Sequence, residues 1–401
     1  MERTLQQIEI KIGKTLKKYN LVEKPVPHIL IDSKKELHGW WPGKRECTAE
    51  RMLINPYNGC SVDCFFCYAK ALPGYFQIFR EKDIVTVCRD FDRVIAEQLD
   101  SIDVASCGYV SPVTDPFQPV NDLYRLSEKI IREFVTRNIP VEFITKERVS
   151  DEVIALLKEQ SHSFGQFSIL TLNEKLRRHL MRGGAPTEEL FESINRMAEA
   201  GLYTVCRIDP IIPFLTDDPR ELEDLLHRAV DSGARHIVAS VMDICLSTAS
   251  EVYDKMGVFG HGLVFDMKKL YTERIDGVLH ADINYRKRIF DHLRNVCDKK
   301  GITFALCMEY DLANGQPVGL NAEFMTSKNC EGIDIPIYIR DGDRFGPASK
   351  CHGSCLSCTD AVCGIHDLAL GKIGWQKPGF KLADYRRWSK ERLKGKQEHM
   401  L

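Results

Sequence analysis

Between about residues 50 and 308 the chain repeats one alternation: a short apolar run of strand length, then a longer stretch whose apolar positions recur every three or four residues. The runs at 52–55, 104–111, 141–146, 166–171, 203–209, 236–242 and 303–308 are the strands this pattern predicts. Two of the intervening helices carry readable ends. Pro186 stands in a first turn, Leu190, Ile194, Met197 and Ala198 line one face, and Gly201 stops the helix. Pro219 opens the next, Leu222, Leu225, Leu226, Ala229 and Val230 form its stripe, and Gly233 precedes the following strand. Strands that alternate with helices run parallel, because each helix carries the chain back to the same end of the sheet. Six or seven such strands suit an α/β fold built as an open barrel.

The rhythm breaks at 250–285, where Gly257, Gly260, Gly262 and Gly277 lie among apolar residues, and a loop or cap over the barrel mouth is expected there. A helix over 285–300 and the run at 303–308 complete the core. The expected organisation is an N-terminal extension (1–46), the barrel (47–313), a Cys-rich region (314–370) and a basic tail (371–401). In the extension, Trp40 and Trp41 beside Pro42 and Gly43 read as packing rather than as a stacking surface.

Composition narrows the function classes. A formal charge of −2 gives no global field toward nucleic acid or anionic lipid, so any such binding is local. No apolar run approaches the roughly 20 residues that span a bilayer, and the N-terminus lacks an apolar signal segment; a cytoplasmic protein is expected. In a reducing compartment fifteen cysteines point to metal binding rather than to a disulfide framework. The tail from Arg386 to Lys396 carries an embedded Trp388 among basic residues. It reads as a solvated helix or as a phosphate-binding segment.

The chemistry-bearing stretch is Asn55-Pro-Tyr-Asn-Gly-Cys60-Ser-Val-Asp-Cys64-Phe-Phe-Cys67, three thiols within eight residues. Thiolates are soft ligands for iron–sulfur clusters or zinc, and three on one loop grip a metal centre from one side, leaving a coordination position open. A second set, Cys351, Cys355, Cys358 and Cys363, repeats the spacing and adds a thiol, with Cys330 upstream as a fifth. Only 43 residues follow Cys358, too few for a barrel, so the second set is an auxiliary site, with a [4Fe–4S] cluster or zinc as its metal.

Together with Thr114-Asp-Pro-Phe-Gln-Pro, Ile144-Thr-Lys and Pro210-Ile-Ile-Pro, the first cysteine run resembles the spore photoproduct lyase-like branch of the radical S-adenosylmethionine (SAM) proteins. The resemblance implies a partial (β/α)6 TIM-like barrel in which Cys60, Cys64 and Cys67 hold a [4Fe–4S] cluster that chelates SAM. It further implies reductive cleavage of SAM to a 5′-deoxyadenosyl radical, with an electron donor such as ferredoxin or flavodoxin. Phe66 would lie near the adenine. The Gly-Gly-Glu-like segment common in such proteins is replaced by Ser111-Pro-Val-Thr-Asp, so Thr114 and Asp115 stand as acceptors for the SAM amine. Lys146 and Arg207 are candidates for its carboxylate, Ser168 for the ribose, and Cys107 for a thiol that returns a hydrogen atom to the product radical. The substrate implied is a nucleic-acid base or photoproduct, acted on in a lyase or repair reaction; modification of a peptide or small molecule is the alternative. A non-catalytic zinc or iron–sulfur protein that binds nucleic acid is the reading from another class.

Overall fold

The computed structural model describes residues 6–12, 14–39, 43–44, 50–355, 357–364, 366, 376–377 and 380–386. Trp40, Trp41, Cys47 and the tail beyond Arg386 lie outside the described residues. The core is one sheet of seven strands: β1 (Met52–Ile54), β2 (Gly108–Val110), β3 (Val141–Thr145), β4 (Phe164–Ser168), β5 (Tyr203–Ile211), β6 (His236–Val241) and β7 (Thr303–Leu306). They are ordered in space as in the chain, and every neighbouring pair is parallel. Helices flank the sheet, giving the partial barrel expected from the alternation.

Two strands differ from expectation. The run at 104–111 is split: Val104–Ala105 pairs antiparallel with Tyr338–Asp341, and only Gly108–Val110 joins the barrel. Gly108 marks the division because Phe134 of the following helix packs directly on its backbone; a Cβ there would sit 2.5 Å from the ring. The fourth strand begins two residues before the predicted 166, since Phe164 already pairs with Tyr203 and Glu142. The glycine-bearing segment after β6 is also more ordered than a loop. It forms the helices Ala249–Met256 and His261–Leu270 and the hairpin Glu273–Ile275/Val278–His280. Phe259, between the helices, lies 6.0 Å from the ring of His179, so the segment reaches from β6 to the helix Glu174–Leu180 that follows β4.

The helix ends follow local chemistry. Asp218 caps Pro219–Asp231 by accepting the N–H groups of Arg220 and Glu221, and Asp282 does the same for Ile283–Lys300 at Asn284 and Tyr285. Their apolar stripes are buried against the sheet: Leu222, Leu225, Leu226 and Ala229 from the first, Ile289, Phe290, Leu293 and Val296 from the second. Each fully buried Leu or Phe contributes about 1.5–3 kcal/mol, which is what holds the helices to the outer face.

The chain before the barrel forms a hairpin, Gln6–Ile12 with Thr15–Leu21, and a strand, His28–Asp32, parallel to Val85–Arg89. Val85–Arg89 pairs on its other side with Tyr57–Asn58, immediately before Cys60. Among the described residues no helix is long and apolar enough to cross a membrane.

Candidate functional site

Register decides which side chains meet, because paired residues in a parallel sheet point to the same face. Leu53 pairs with Tyr109, Tyr109 with Glu142, Ile144 with Gln166, Ser168 with Arg207, Arg207 with Val238, and Val238 with Ala305. Alternation extends this face to Arg51 and Asn55, Ser111, Lys146, Ser240 and Cys307. The opposite set, with Phe143 and Phe167 in edge-to-face contact, packs toward the helices.

The inner face carries a continuous ladder of polar groups. Arg51 Nε donates to Glu142 Oε1 at 2.8 Å, Gln166 Nε2 donates to Glu142 Oε2 at 2.8 Å, and Arg207 Nη1 donates to Gln166 Oε1 at 3.0 Å. Arg207 Nε continues to Asp209 Oδ2 at 3.2 Å, and Ser240 Oγ donates to the other oxygen of Asp209. Buried polar groups persist only when partnered, and here each strand hands its side chain to the next. Burial works against ionisation of Asp209, yet Arg207 and Ser240 hold its carboxyl below the usual carboxylate range.

At the C-terminal end of the strands the loop after β1 presents Cys60, Cys64 and Cys67. Gln118 pins its start, accepting from Ser61 N–H at 3.0 Å and donating to Gly59 O at 3.2 Å. Backbone bonds from Phe65 to Leu180 O and from Gly183 to Val62 O pin its middle. Gly183 is required there, since a Cβ would approach Ser61 O to 2.6 Å. Burial pushes all three thiols up, that of Cys64 to about 12; each thiolate's charge opposes the others, while Lys146 and Lys70 favour ionisation of Cys64 and Cys67. Three soft donors that cannot all ionise unaided, with cations beside them, fit a metal centre.

The other predicted residues divide into groups. The backbone N–H of Asp115 faces Cys60 Sγ at 3.3 Å, but its carboxylate is engaged by Phe117 N–H, Lys146 N–H and the Thr145 hydroxyl. That carboxylate ties the loop after β2 to the end of β3. Thr114 is buried, and its hydroxyl has no hydrogen-bond partner among the described residues; the same holds for Ser111 Oγ and Asn55 Oδ1 at the neighbouring strand ends. Lys146 faces Cys64 and Cys67, and Phe66 packs edge-to-face on Phe65 at 5.3 Å. Ser168 and Arg207 lie side by side on the inner face, with Arg207 paired to Asp209.

Cys107 is not brought to this end. It precedes β2, its carbonyl accepts from Met52 N–H at the start of β1, and its electrostatic neighbours are Glu142, Arg51, Glu331 and Glu50. Two other thiols stand toward the mouth: Cys307, just past β7 and a neighbour of Arg207, and Cys245, two residues beyond Asp243 after β6, which burial, Asp243 and Cys67 raise to about 11. An isolated cysteine in an apolar stretch, as Cys245 is, carries no distinguishing signal in sequence.

The second cysteine set lies at the opposite end of the barrel. Cys351, Cys355, Cys358 and Cys363 line one cavity of about 360 Å³, with Cys351 and Cys363 hydrogen-bonded through their thiols. Cys355 neighbours Glu50 and Arg51, which precede β1, whereas Cys60 follows it. Cys330 is absent from the cavity lining; its carbonyl receives His236 Nε2 at 3.1 Å. Among the described residues no three His, Cys, Asp or Glu side chains gather tightly enough to hold a single metal ion.

Comparison with known proteins agrees with this arrangement. Residues 54–229 match the radical SAM superfamily. A radical SAM Nalpha-GlyT isomerase of Pseudomonas phage M6 is 27% identical over 356 residues, 84% of this chain and 73% of that protein. An uncharacterized protein of Mycobacterium tuberculosis is 23% identical over 46% of this chain and 56% of its own length. Spore photoproduct lyase complexed with dinucleoside spore photoproduct superposes with a TM-score of 0.54 at 14% identity, over 70% of this chain and 81% of that one, a likeness of fold. The cysteine loop at the mouth of the parallel barrel falls within the stretch, residues 54–229, that matches the radical SAM superfamily, and the chain is an enzyme of that kind.

Proposed function

We propose that the chain binds a [4Fe–4S] cluster through Cys60, Cys64 and Cys67, reductively cleaves SAM there, and rearranges a substrate built on a nucleic-acid base. The observation that carries this reading is the meeting of the three thiols with Lys146 and the Asp115 N–H at the C-terminal mouth of the strands. When bound, the cluster and SAM supply one-electron cleavage of a carbon–sulfur bond and a radical that takes a hydrogen atom from substrate. The chain's own groups position and shield. Lys146 offers its ammonium to the SAM carboxylate, Thr114, Ser111 and Asn55 offer unpartnered polar atoms, and Phe66 offers an aromatic edge to the adenine. Arg207 is committed to Asp209 and Gln166, so its part is to hold those two side chains in place. The name of the phage relative supports an isomerisation; Cys245, a neighbour of Cys67, is the candidate to return a hydrogen atom to the product radical, the thiyl radical so formed taking an electron from the external donor and a proton from solvent.

We assign a second [4Fe–4S] cluster to Cys351, Cys355, Cys358 and Cys363. The four thiols line one cavity of about 360 Å³, which supports a cluster that takes each thiolate on a separate iron; a single zinc ion held by the same thiols is the alternative. Its place beyond the N-terminal ends of the strands suits electron relay or structural support, with the barrel between it and the substrate.

The test is anaerobic reconstitution with iron and sulfide, then dithionite and SAM, following 5′-deoxyadenosine in wild type and in Cys64→Ala. Formation in wild type alone supports the reading; none in either, with SAM bound, ends it. A Cys60/Cys64/Cys67→Ala variant that retains about four irons per chain supports the second cluster, and an iron-free one refutes it.

A further inference from the structure

The mouth of the barrel holds one carboxylate that its surroundings leave without a counterpart. Asp209 is matched by Arg207 and Ser240. Glu309 accepts from Arg286 at 2.8 Å and from Val241 N–H at 2.7 Å, and Glu273 is paired with the same arginine. Asp243, just beyond β6, takes no ion pair and no hydrogen bond from another residue among the described residues. Its electrostatic neighbours are acidic or weakly acidic throughout: Asp209, Glu309, Cys245 and Tyr271. The position is well defined, since Tyr271 donates its hydroxyl to Met242 O at 2.5 Å and Val241 is fixed by Glu309.

A partly buried carboxylate among other acids is unfavourable as an anion: burial and Asp209 raise Asp243 to about 6, and a cation beside it would favour the ionised form. Asp243 lies on the side of the mouth where Cys245 neighbours Cys67. The Lys146 side already carries the positive charge suited to the SAM carboxylate. The Asp243 side offers negative charge to a group bound beside Cys245.

We propose that Asp243 is a specificity determinant that receives an ammonium group carried by the substrate, holding it beside Cys245. This rests on the radical SAM reading of the site and adds to it the chemical class of the substrate: an amine-bearing base or nucleoside, cationic at neutral pH. SAM also carries an ammonium, and the experiment separates the two sources.

The reconstituted full-length protein is titrated anaerobically, with SAM present, with 5-aminomethyl-2′-deoxyuridine and with its uncharged N-acetyl derivative. Wild type is expected to bind the amine at least about tenfold more tightly than the acetyl compound, a charge-assisted contact being worth that much. Asp243→Asn is expected to abolish the preference and Asp243→Glu to restore part of it. SAM affinity is measured in parallel, and thermal midpoints confirm that the variants fold. Equal binding of the two probes to wild type, binding of neither, or a preference that survives Asp243→Asn overturns the proposal. A loss of SAM affinity in Asp243→Asn also overturns it, assigning the carboxylate to SAM. Failure of wild type to form 5′-deoxyadenosine would instead refute the underlying functional reading.

Discussion

Asp115 directs its backbone N–H at the Cys60 sulfur, 3.3 Å away, while its carboxylate accepts the Lys146 N–H at 2.6 Å. One residue thus fastens the cysteine loop to the ends of two strands. Charge-assisted bonds contribute about 1.5–3 kcal/mol each and do not add fully, so Asp115→Ala is expected to lower stability by about 3 kcal/mol. Asp115→Asn, which keeps an acceptor, should lose roughly half of that. Urea denaturation of the metal-free protein measures both; an alanine variant as stable as wild type would remove Asp115 from this role.

Arg51 is fully buried among Glu50, Glu142 and Glu331, with Glu50 and Glu142 at 2.8 Å. Burial and the charge of Glu331 keep the Glu142 carboxyl well above its usual range, so one guanidinium offsets several acids. Arg51→Met strands those acids and should cost about 3–5 kcal/mol. Adding Glu142→Gln removes one of them and should recover part of the loss. Denaturation midpoints of the single and double variants decide; a double variant weaker than the single would show that Glu142 is held by Gln166 alone.

His280 is buried, and burial together with the charge of Arg286 lowers its pKa to about 4. The unfolded chain protonates first, near 6.5, so the stability its neutral ring contributes is complete above pH 6.5 and is lost as pH falls toward 4. Glu309, raised to about 7 by burial, acts in the opposite sense, its cost growing as pH rises from 4.5 to 7. Comparing wild type with His280→Gln cancels that second effect. The stability advantage of wild type should shrink by about 1.4 kcal/mol per pH unit in the window, and a pH-independent difference would exclude the buried neutral imidazole.

The two cysteines flanking the substrate question are distinguishable in one assay. Cys107→Ala, at the far end of the barrel, should change stability by about 1–2 kcal/mol and leave the product distribution as in wild type. Cys245→Ala should divert the substrate radical into by-products. Product analysis by mass spectrometry checks both, and altered products from Cys107→Ala alone would reverse the assignment.

The sequence by itself determined the order of strands and helices and the parallel sheet, and it singled out Cys60, Cys64 and Cys67 as candidate ligands, because these depend on short-range periodicity and spacing. Pro186, Pro219 and Gly233 are local devices and act where they were expected. Only the tertiary structure decided which end of the barrel each cysteine occupies. Cys107 and Ser111 belong to one short run, yet they stand at opposite ends of β2, and a run of residues does not reveal which end faces a ligand. It also took the fold to match Asp209 with Arg207, to leave Asp243 unmatched and to set Cys245 beside Cys67. Those relations join side chains from separate strands, and register between strands is fixed by packing across the sheet, which no stretch of sequence contains.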